Sequence, residues 1–363
     1  VSEEARNSVK ETFIRETRKM KSQSQLDRND ISIKKKVLSF PTLMSFLIGG
    51  VLIYFLSSRF NLDWSQMFSH IKEMNIFPYV CALFLYYVSF VFRGVRWRVL
   101  GLNASRKLVE NSELSFRTPP IYECSLLILN GWFVNSIAWL RMGDAYRAYA
   151  FGSRTRAGFS WSLGTIFAER VLDMSTVFVL LLIGGGLLTA SIDDTMSRIL
   201  ILSAFAMSVV LLLVVLVIFY AGNWLITFLP EKLSRYVVNF KEGTVGSFDR
   251  LPVLIMLGAL GWGIEILRLW LVINSLGIET ELALIMIAAL GASLFSTVPT
   301  PGGVGVVEPG MTALLSIGMN GSEAAAVALC DRGITYLSVL VVGLLAFLGW
   351  QAKLAMKGHD VGK

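Results

Sequence analysis

The feature that most constrains this chain is a series of apolar blocks, each long enough to cross a lipid bilayer. Leu38 to Ser57, Ile76 to Phe92, Val171 to Thr189, Ile199 to Ala221, Leu251 to Leu271 and Ile334 to Trp350 carry few charges. Each holds about 20 residues, the length a helix needs to cover a hydrocarbon core roughly 30 Å thick. In lipid every backbone amide and carbonyl needs an internal partner, and a helix supplies it within one segment. The chain is therefore read as an all-α polytopic membrane protein. Only 16% of its 363 residues are charged, against about 25% in soluble domains. Two histidines and three scattered cysteines (Cys81, Cys124, Cys330) offer no zinc or haem ligand set and no disulfide framework, so no metal or cofactor is expected. There is no Gly-x-x-x-x-Gly-Lys-Ser/Thr loop, which argues against direct drive by ATP.

Two further apolar regions are interrupted. Tyr122 to Leu140 runs into Arg-Met-Gly-Asp, and Leu282 to Phe295 runs into Ser-Thr-Val-Pro-Thr-Pro-Gly-Gly. Short cytoplasmic loops of membrane proteins are rich in Lys and Arg, and that bias orients the spans. Lys10, Arg15, Arg18, Lys19, Lys21, Arg28 and Lys34 to Lys36 precede the first block, and Arg93, Arg96, Arg98, Arg106, Lys107 and Arg117 follow the second. Lys232, Arg235 and Lys241 precede Leu251, and Lys353, Lys357 and Lys363 close the chain. All are expected on the cytoplasmic side, with both termini. Arg141, Arg147, Arg154 and Arg156 would then fall outside if Tyr122 to Leu140 crossed fully. Reading the two interrupted regions as re-entrant hairpins, one entering from each side, removes the conflict. The expected architecture is about six spanning helices plus two re-entrant helical hairpins; eight simple spans are the alternative.

The interrupted regions recur at a fixed interval. Gly143 and Gly305 lie 162 positions apart, as do Glu169 and Asp331, and Arg170 and Arg332. Each half reads as an apolar helix, a glycine-containing break and, 26 residues on, an acid-Arg pair opening a long apolar helix. An arginine sits near a tryptophan before each break: Arg96 and Trp97 in the first half, Arg268 and Trp270 in the second. The units, about 76–189 and 251–350, are expected to form an inverted repeat, the architecture of alternating-access carriers. A basic tail over 1–36, a transmembrane domain over 37–354 and a short tail over 355–363 complete the expected layout.

Ionised side chains cost about 2.5 to 3.5 kcal/mol at the bilayer centre on insertion scales, so those present pair with one another or line a pathway. Arg141, Asp144, Arg147, Glu169, Arg170, Asp173, Glu265, Arg268, Glu308, Asp331 and Arg332 all lie in or beside apolar helices and are the candidate substrate-binding residues. Asp144 with Arg147, Arg170 with Asp173, and Glu265 with Arg268 are three apart and share a helix face. A structural ion pair is the alternative reading of each. Arginine suits phosphate through its planar bidentate fork, and the acids suit pairing with arginine or carrying a coupling proton. Pro299, Pro301, Gly302, Gly303 and Gly305, with Gly143 in the first half, are the candidate hinge or helix-break residues. Proline removes a backbone donor and clashes with the preceding turn, and glycine favours turn geometry. A helix starting near Val304 would offer free amides to an anion such as phosphate; a tight turn with no ligand is the other reading.

The segments Asn135-Ser-Ile-Ala-Trp-Leu-Arg-Met-Gly-Asp-Ala-Tyr-Arg147, Phe167-Ala-Glu-Arg-Val-Leu-Asp173, Pro301-Gly-Gly-Val-Gly-Val-Val-Glu308 and Asp331-Arg332 resemble the transmembrane region of bacterial lysylphosphatidylglycerol synthases and the related flippase-like membrane family. The resemblance runs from about Leu38 to Leu354. It implies translocation of an anionic or lipid-linked headgroup between leaflets, and some members carry an added synthase or glycosyltransferase domain. Two departures stand out. Where the family has Pro before the Arg-x-Gly-acid element, this chain has Ala138 or Trp139, which predicts a gentler first break. Only 13 residues follow Trp350, too few for the soluble aminoacyl-transferase domain, so lipid aminoacylation by this chain is not expected.

The expected function is that of an integral plasma-membrane lipid flippase-like transporter rather than an enzyme. Its partners would be membrane lipids, anionic or carrying a lipid-linked phosphate, and no nucleic acid. A separate synthase or glycosyltransferase, and a homodimer, stay open. Two other classes are a membrane-embedded enzyme using Glu308 or Glu169 as a base and a non-transporting partner of a lipid-modifying synthase or glycosyltransferase. Against the enzyme, no His, Cys or Ser stands in a recognisable nucleophile-base arrangement.

Overall fold

The computed structural model describes residues 63–111, 116–188 and 230–360. The basic tail over 1–36, the blocks Leu38 to Ser57 and Ile199 to Ala221, and the loop 191–198 lie outside the described residues. Within them the backbone is helical and contains no strand. In chain order come α1 (Trp64–Lys72), α2 (Ile76–Asn111), α3 (Ile121–Ile137), α4 (Met142–Thr155), α5 (Phe159–Leu188), α6 (Glu231–Gly246), α7 (Leu251–Ser275) and α8 (Leu282–Phe295). A 3-10 turn (Pro301–Gly303), α9 (Val307–Leu315), α10 (Gly321–Arg332), a π turn (Gly333–Leu337) and α11 (Ser338–Asp360) follow.

Three described segments are long and apolar enough to cross a membrane: Ile76–Arg106, Leu251–Ser275 and Gly321–Ala352. The helices beside the breaks are shorter. At 1.5 Å per residue, α4 and α8 rise about 21 Å each and α9 about 14 Å, against the roughly 30 Å of a hydrocarbon core. α8 is apolar on every side, and Ala283 to Gly291 are all buried, as expected of a helix with no polar face to turn outward. The outer helices do the reverse. Phe84 on α2, Met256 on α7 and Leu345 on α11 are 70%, 57% and 66% exposed, a surface that suits lipid and would drive association in water.

The same order of elements occurs twice: a long helix (α2, α7), a short one (α3, α8), a break, a second short one (α4, α9), and a long segment (α5; α10 to α11) that carries the acid-Arg pair in its interior rather than at its start. The two leading helices run antiparallel. Asn75 N–H donates to the Ser275 carbonyl at 2.7 Å, Arg93 meets Glu265 at 2.8 Å, and Asn103 Nδ2 donates to the carbonyls of Ser247 and Asp249 just before α7. The breaks touch each other. Leu140 N–H donates to the Pro299 carbonyl at 3.4 Å, Arg141 Nη1 to that of Ser296 at 3.3 Å, and Tyr336 Oη to that of Ser136 at 3.5 Å.

Candidate functional site

Each break is made by a different backbone device. After α3, Ala138 is extended, and Leu140 and Arg141 take the left-handed conformation at φ 57° and 53°. That conformation costs a non-glycine residue roughly 1–2 kcal/mol. Gly143, expected to be the hinge, lies inside α4. A Cβ there would come within 1.9 Å of the Gly131 carbonyl oxygen, so this glycine lets the α3 and α4 backbones touch rather than breaking a helix. The second break follows the expectation: Gly302, Gly303 and Gly305 all have positive φ, and Pro299 and Pro301 flank the turn. Its following helix starts at Val307, not near Val304. The Glu308 carboxylate accepts from Gly305 N–H at 2.7 Å, so an acidic side chain of the chain itself takes the place expected for an external phosphate.

All eleven candidate charges enter ion pairs, in three groups. In the first, Asp144 meets Arg170 at 3.1 Å, Arg141 at 3.2 Å and Arg147 at 3.6 Å. Glu169 meets Arg147 at 2.6 Å and Arg96 at 3.4 Å, and Asp173 meets Arg96 at 2.7 Å and Arg170 at 3.9 Å. In the second, Glu265 meets Arg93 at 2.8 Å and Arg268 at 3.0 Å, and Arg268 also pairs with Asp331. In the third, Arg332 meets Glu308 at 2.8 Å and donates to the Gly302 carbonyl at 2.7 Å. The three pairs spaced three apart on a helix are all formed, and each also reaches other helices. Removing such charges from water is compensated only when partners and hydrogen bonds are supplied. Aromatic rings add to that here: Arg147 lies 4.4 Å from the Trp97 ring centroid, Arg332 4.8 Å from Tyr336, and Arg93 within 5.0 and 5.9 Å of Trp132 and Trp262.

The two halves therefore use their acid-Arg pairs alike. The acid, Glu169 or Asp331, binds an arginine of its own leading helix, Arg96 or Arg268. The arginine, Arg170 or Arg332, binds the acid of its own second short helix, Asp144 or Glu308. The 162-residue match of Gly143 with Gly305 has no such counterpart in the structure, and of the two Arg-Trp markers only the arginines correspond, because Trp97 is fully buried and Trp270 is 43% exposed.

Between the breaks lies a cavity of about 400 Å³. Eight of the eleven candidates line it: Arg141, Asp144, Arg170, Asp173, Glu265, Arg268, Asp331 and Arg332. Arg147 and Glu169 sit behind its wall, and Glu308 anchors Arg332 from outside it. Thr300 and Gly302 bring the second break to the cavity. Two donors on the wall, Arg170 Nε and Thr300 Oγ1, are buried without a hydrogen-bond partner, which equips the cavity for an acceptor such as a phosphate oxygen. The π turn after Arg332 supplies Thr335 and Tyr336; π turns inside helices recur at functional sites.

Sequence reasoning missed Arg93 and Arg96. Both count there as cytoplasmic loop charges, and Arg96 also as the arginine beside Trp97 in the repeat, but α2 continues through them to Asn111, and Arg93 faces a carboxylate on α7 and Arg96 two on α5. Arg141 and Arg147 likewise belong to the ion network, and Arg154 donates to Glu123 at 2.9 Å. These arginines are compensated inside the fold, so they are not free markers of a cytoplasmic loop. The usable signal was the three-residue spacing of Arg93 and Arg96 on an apolar helix.

Fold and site together define an α-helical membrane protein with a charged, partly open cavity between two broken-helix units. The sequence profile described as the lysylphosphatidylglycerol synthase TM region matches residues 42–343. The chain belongs to that family. It is 32% identical to a UPF0104 membrane protein of Methanocaldococcus jannaschii over 59% of this chain and 93% of the relative. It is 24% identical to one from Pyrococcus horikoshii over 82% and 94%. It is also 23% identical to glycosyltransferase AglD of Haloferax volcanii, over 97% of this chain and 61% of that protein.

Proposed function

We propose that the protein is a flippase-like carrier that passes the headgroup of an anionic phospholipid or lipid-linked phosphate between leaflets. The cavity carries this reading. It is lined by five arginines from both units, two of its wall donors lack partners, and the surrounding helices present apolar side chains outward. In this mechanism the headgroup phosphate engages Arg170 and Arg332 while the acyl or prenyl chains stay in lipid. Asp144, Asp173 and Glu308 balance those arginines between binding events or carry a coupling proton. The two units are inverted with respect to each other, supported by the antiparallel α2 and α7. The short α3–α4 and α8–α9 pairs are re-entrant from opposite sides of the plasma membrane, supported by helices too short to cross it, and both termini are cytoplasmic.

A second reading draws on the relative named as a glycosyltransferase, which has further sequence beyond the aligned part. On that reading the chain is a non-transporting membrane partner of a synthase or glycosyltransferase. Lipid bound after purification in mild detergent separates the two. The carrier reading expects mass spectrometry to find a phosphate-bearing lipid enriched over the bulk membrane in wild type and lost from Arg332→Gln. A lipid pool that mirrors the bulk membrane and is unchanged in the variant would contradict it.

A further inference from the structure

The three groups of ion pairs do not balance alike. In the second and third, charges match: Arg93 and Arg268 face Glu265 and Asp331, and Arg332 faces Glu308. In the first, four guanidinium groups share three carboxylates. Asp144 serves Arg141, Arg147 and Arg170, Glu169 serves Arg147 and Arg96, and Asp173 serves Arg96 and Arg170. Arginine does not give up its proton in a protein, so this group holds one positive charge that no ion pair among the described residues cancels. The Trp97 ring attracts Arg147 and the Ser296 carbonyl accepts from Arg141, but neither carries a formal charge. The excess also has an accessible side. Arg96 and Arg147 are 4% and 1% exposed, whereas Arg141 and Arg170 are 28% and 27% exposed, and both of these line the cavity. An unmatched charge in so little water is costly, and one anion beside it removes the cost.

Building on the carrier reading, we propose that the cavity selects a lipid phosphodiester, which bears one negative charge, over a phosphomonoester or pyrophosphate, which bears two or more. The diester's single charge balances the excess shared by Arg141 and Arg170, whose planar forks suit its two free oxygens. A second charge would have no unmatched arginine to meet and would face the carboxylates on the same wall, Asp144, Asp173, Glu265 and Asp331. Arg332, already matched by Glu308, contributes hydrogen bonds to the headgroup rather than net charge.

Phosphatidylmethanol and phosphatidic acid test this, because with the same acyl chains they differ by one methyl ester. A ligand of the folded state raises the unfolding midpoint with concentration, so each lipid is titrated into the full-length protein in uncharged detergent. At pH 8.5 phosphatidic acid is a dianion, and phosphatidylmethanol should half-saturate at a concentration lower by about tenfold or more, as expected for a surplus unit charge in a partly buried site. At pH 5, below the second phosphate pKa of about 6, the gap should close through tighter binding of phosphatidic acid. Phosphatidylmethanol over the same range controls for titration of the protein. Arg141→Gln, which leaves the group neutral, should weaken phosphatidylmethanol binding by about tenfold on the same Coulombic ground. Phosphatidic acid binding as well or better at pH 8.5 overturns the diester assignment and leaves an anionic-lipid carrier standing. Binding of neither lipid overturns both. Dimethyl phosphate binding as tightly as phosphatidylmethanol would make this a site for a soluble anion and overturn the lipid assignment.

Discussion

In the first half of the molecule Asp144 meets three arginines and the break beside it closes within four residues, 138–141. In the second half Glu308 meets one arginine and the break runs over eleven residues, 296–306. The scheme is shared, since each acid-Arg pair ties its leading helix to its own broken hairpin. The constraint is not. The first break is held in a strained backbone by many charges, whereas the second relies on glycines that adopt left-handed geometry without strain and on one pair whose acid is 29% exposed. On the proposed carrier reading, one element has to move against one that does not, and under that proposal the first half would be the fixed wall and the second the moving one.

The largest expected effect comes from breaking the first network at its centre. Glu169 is 3% exposed and bonds two arginines, Arg147 and Arg96; Glu169→Gln leaves Arg96 with Asp173 and the fully buried Arg147 with only the 3.6 Å contact to Asp144, and should cost about 3–5 kcal/mol. Asp331→Asn, its counterpart, leaves Arg268 paired with Glu265 at 3.0 Å and should cost about 1–3 kcal/mol. Thermal or denaturant unfolding of the two purified variants checks the order. Equal losses would erase the proposed asymmetry.

A smaller effect separates the two breaks. Gly302 sits at φ 58°, and a Cβ there would lie 2.5 Å from the Tyr336 ring, so Gly302→Ala should lose about 1–3 kcal/mol through backbone strain and crowding. Leu140 holds φ 57° and is 74% exposed. Leu140→Gly removes about 1 kcal/mol of left-handed strain but adds about 0.5–1 kcal/mol of chain entropy to the unfolded state. Its unfolding midpoint should therefore stay near that of wild type. A large loss in Leu140→Gly would mean that the first break is held by its side-chain contacts and not by the charges around it.

These contrasts also mark what the sequence could and could not reveal. The α8 boundaries, Leu282 to Phe295, and the start of α7 at Leu251 were legible because apolar runs end at helix-breaking chemistry. The second break was legible because Pro and Gly announce it. The first was misplaced because Leu140 and Arg141 adopt a conformation that neither residue type advertises, while the nearby Gly143 advertises a break and instead permits helix contact. The partners of the buried charges were only half visible. Spacing of three along a helix found Asp144 with Arg147 and Glu265 with Arg268, but Arg93 with Glu265 spans 172 residues of sequence and depends on how α2 packs against α7.

The central claim is that arginines from both halves receive one headgroup phosphate in the shared cavity. Leaflet exchange of a fluorescent anionic phospholipid in proteoliposomes tests it most directly, comparing wild type with Arg170→Gln and Arg332→Gln after each variant is shown to elute and unfold as a folded protein. The account predicts that wild type accelerates exchange over protein-free vesicles and that either variant returns it toward the protein-free rate. Exchange at the wild-type rate in both variants would contradict it.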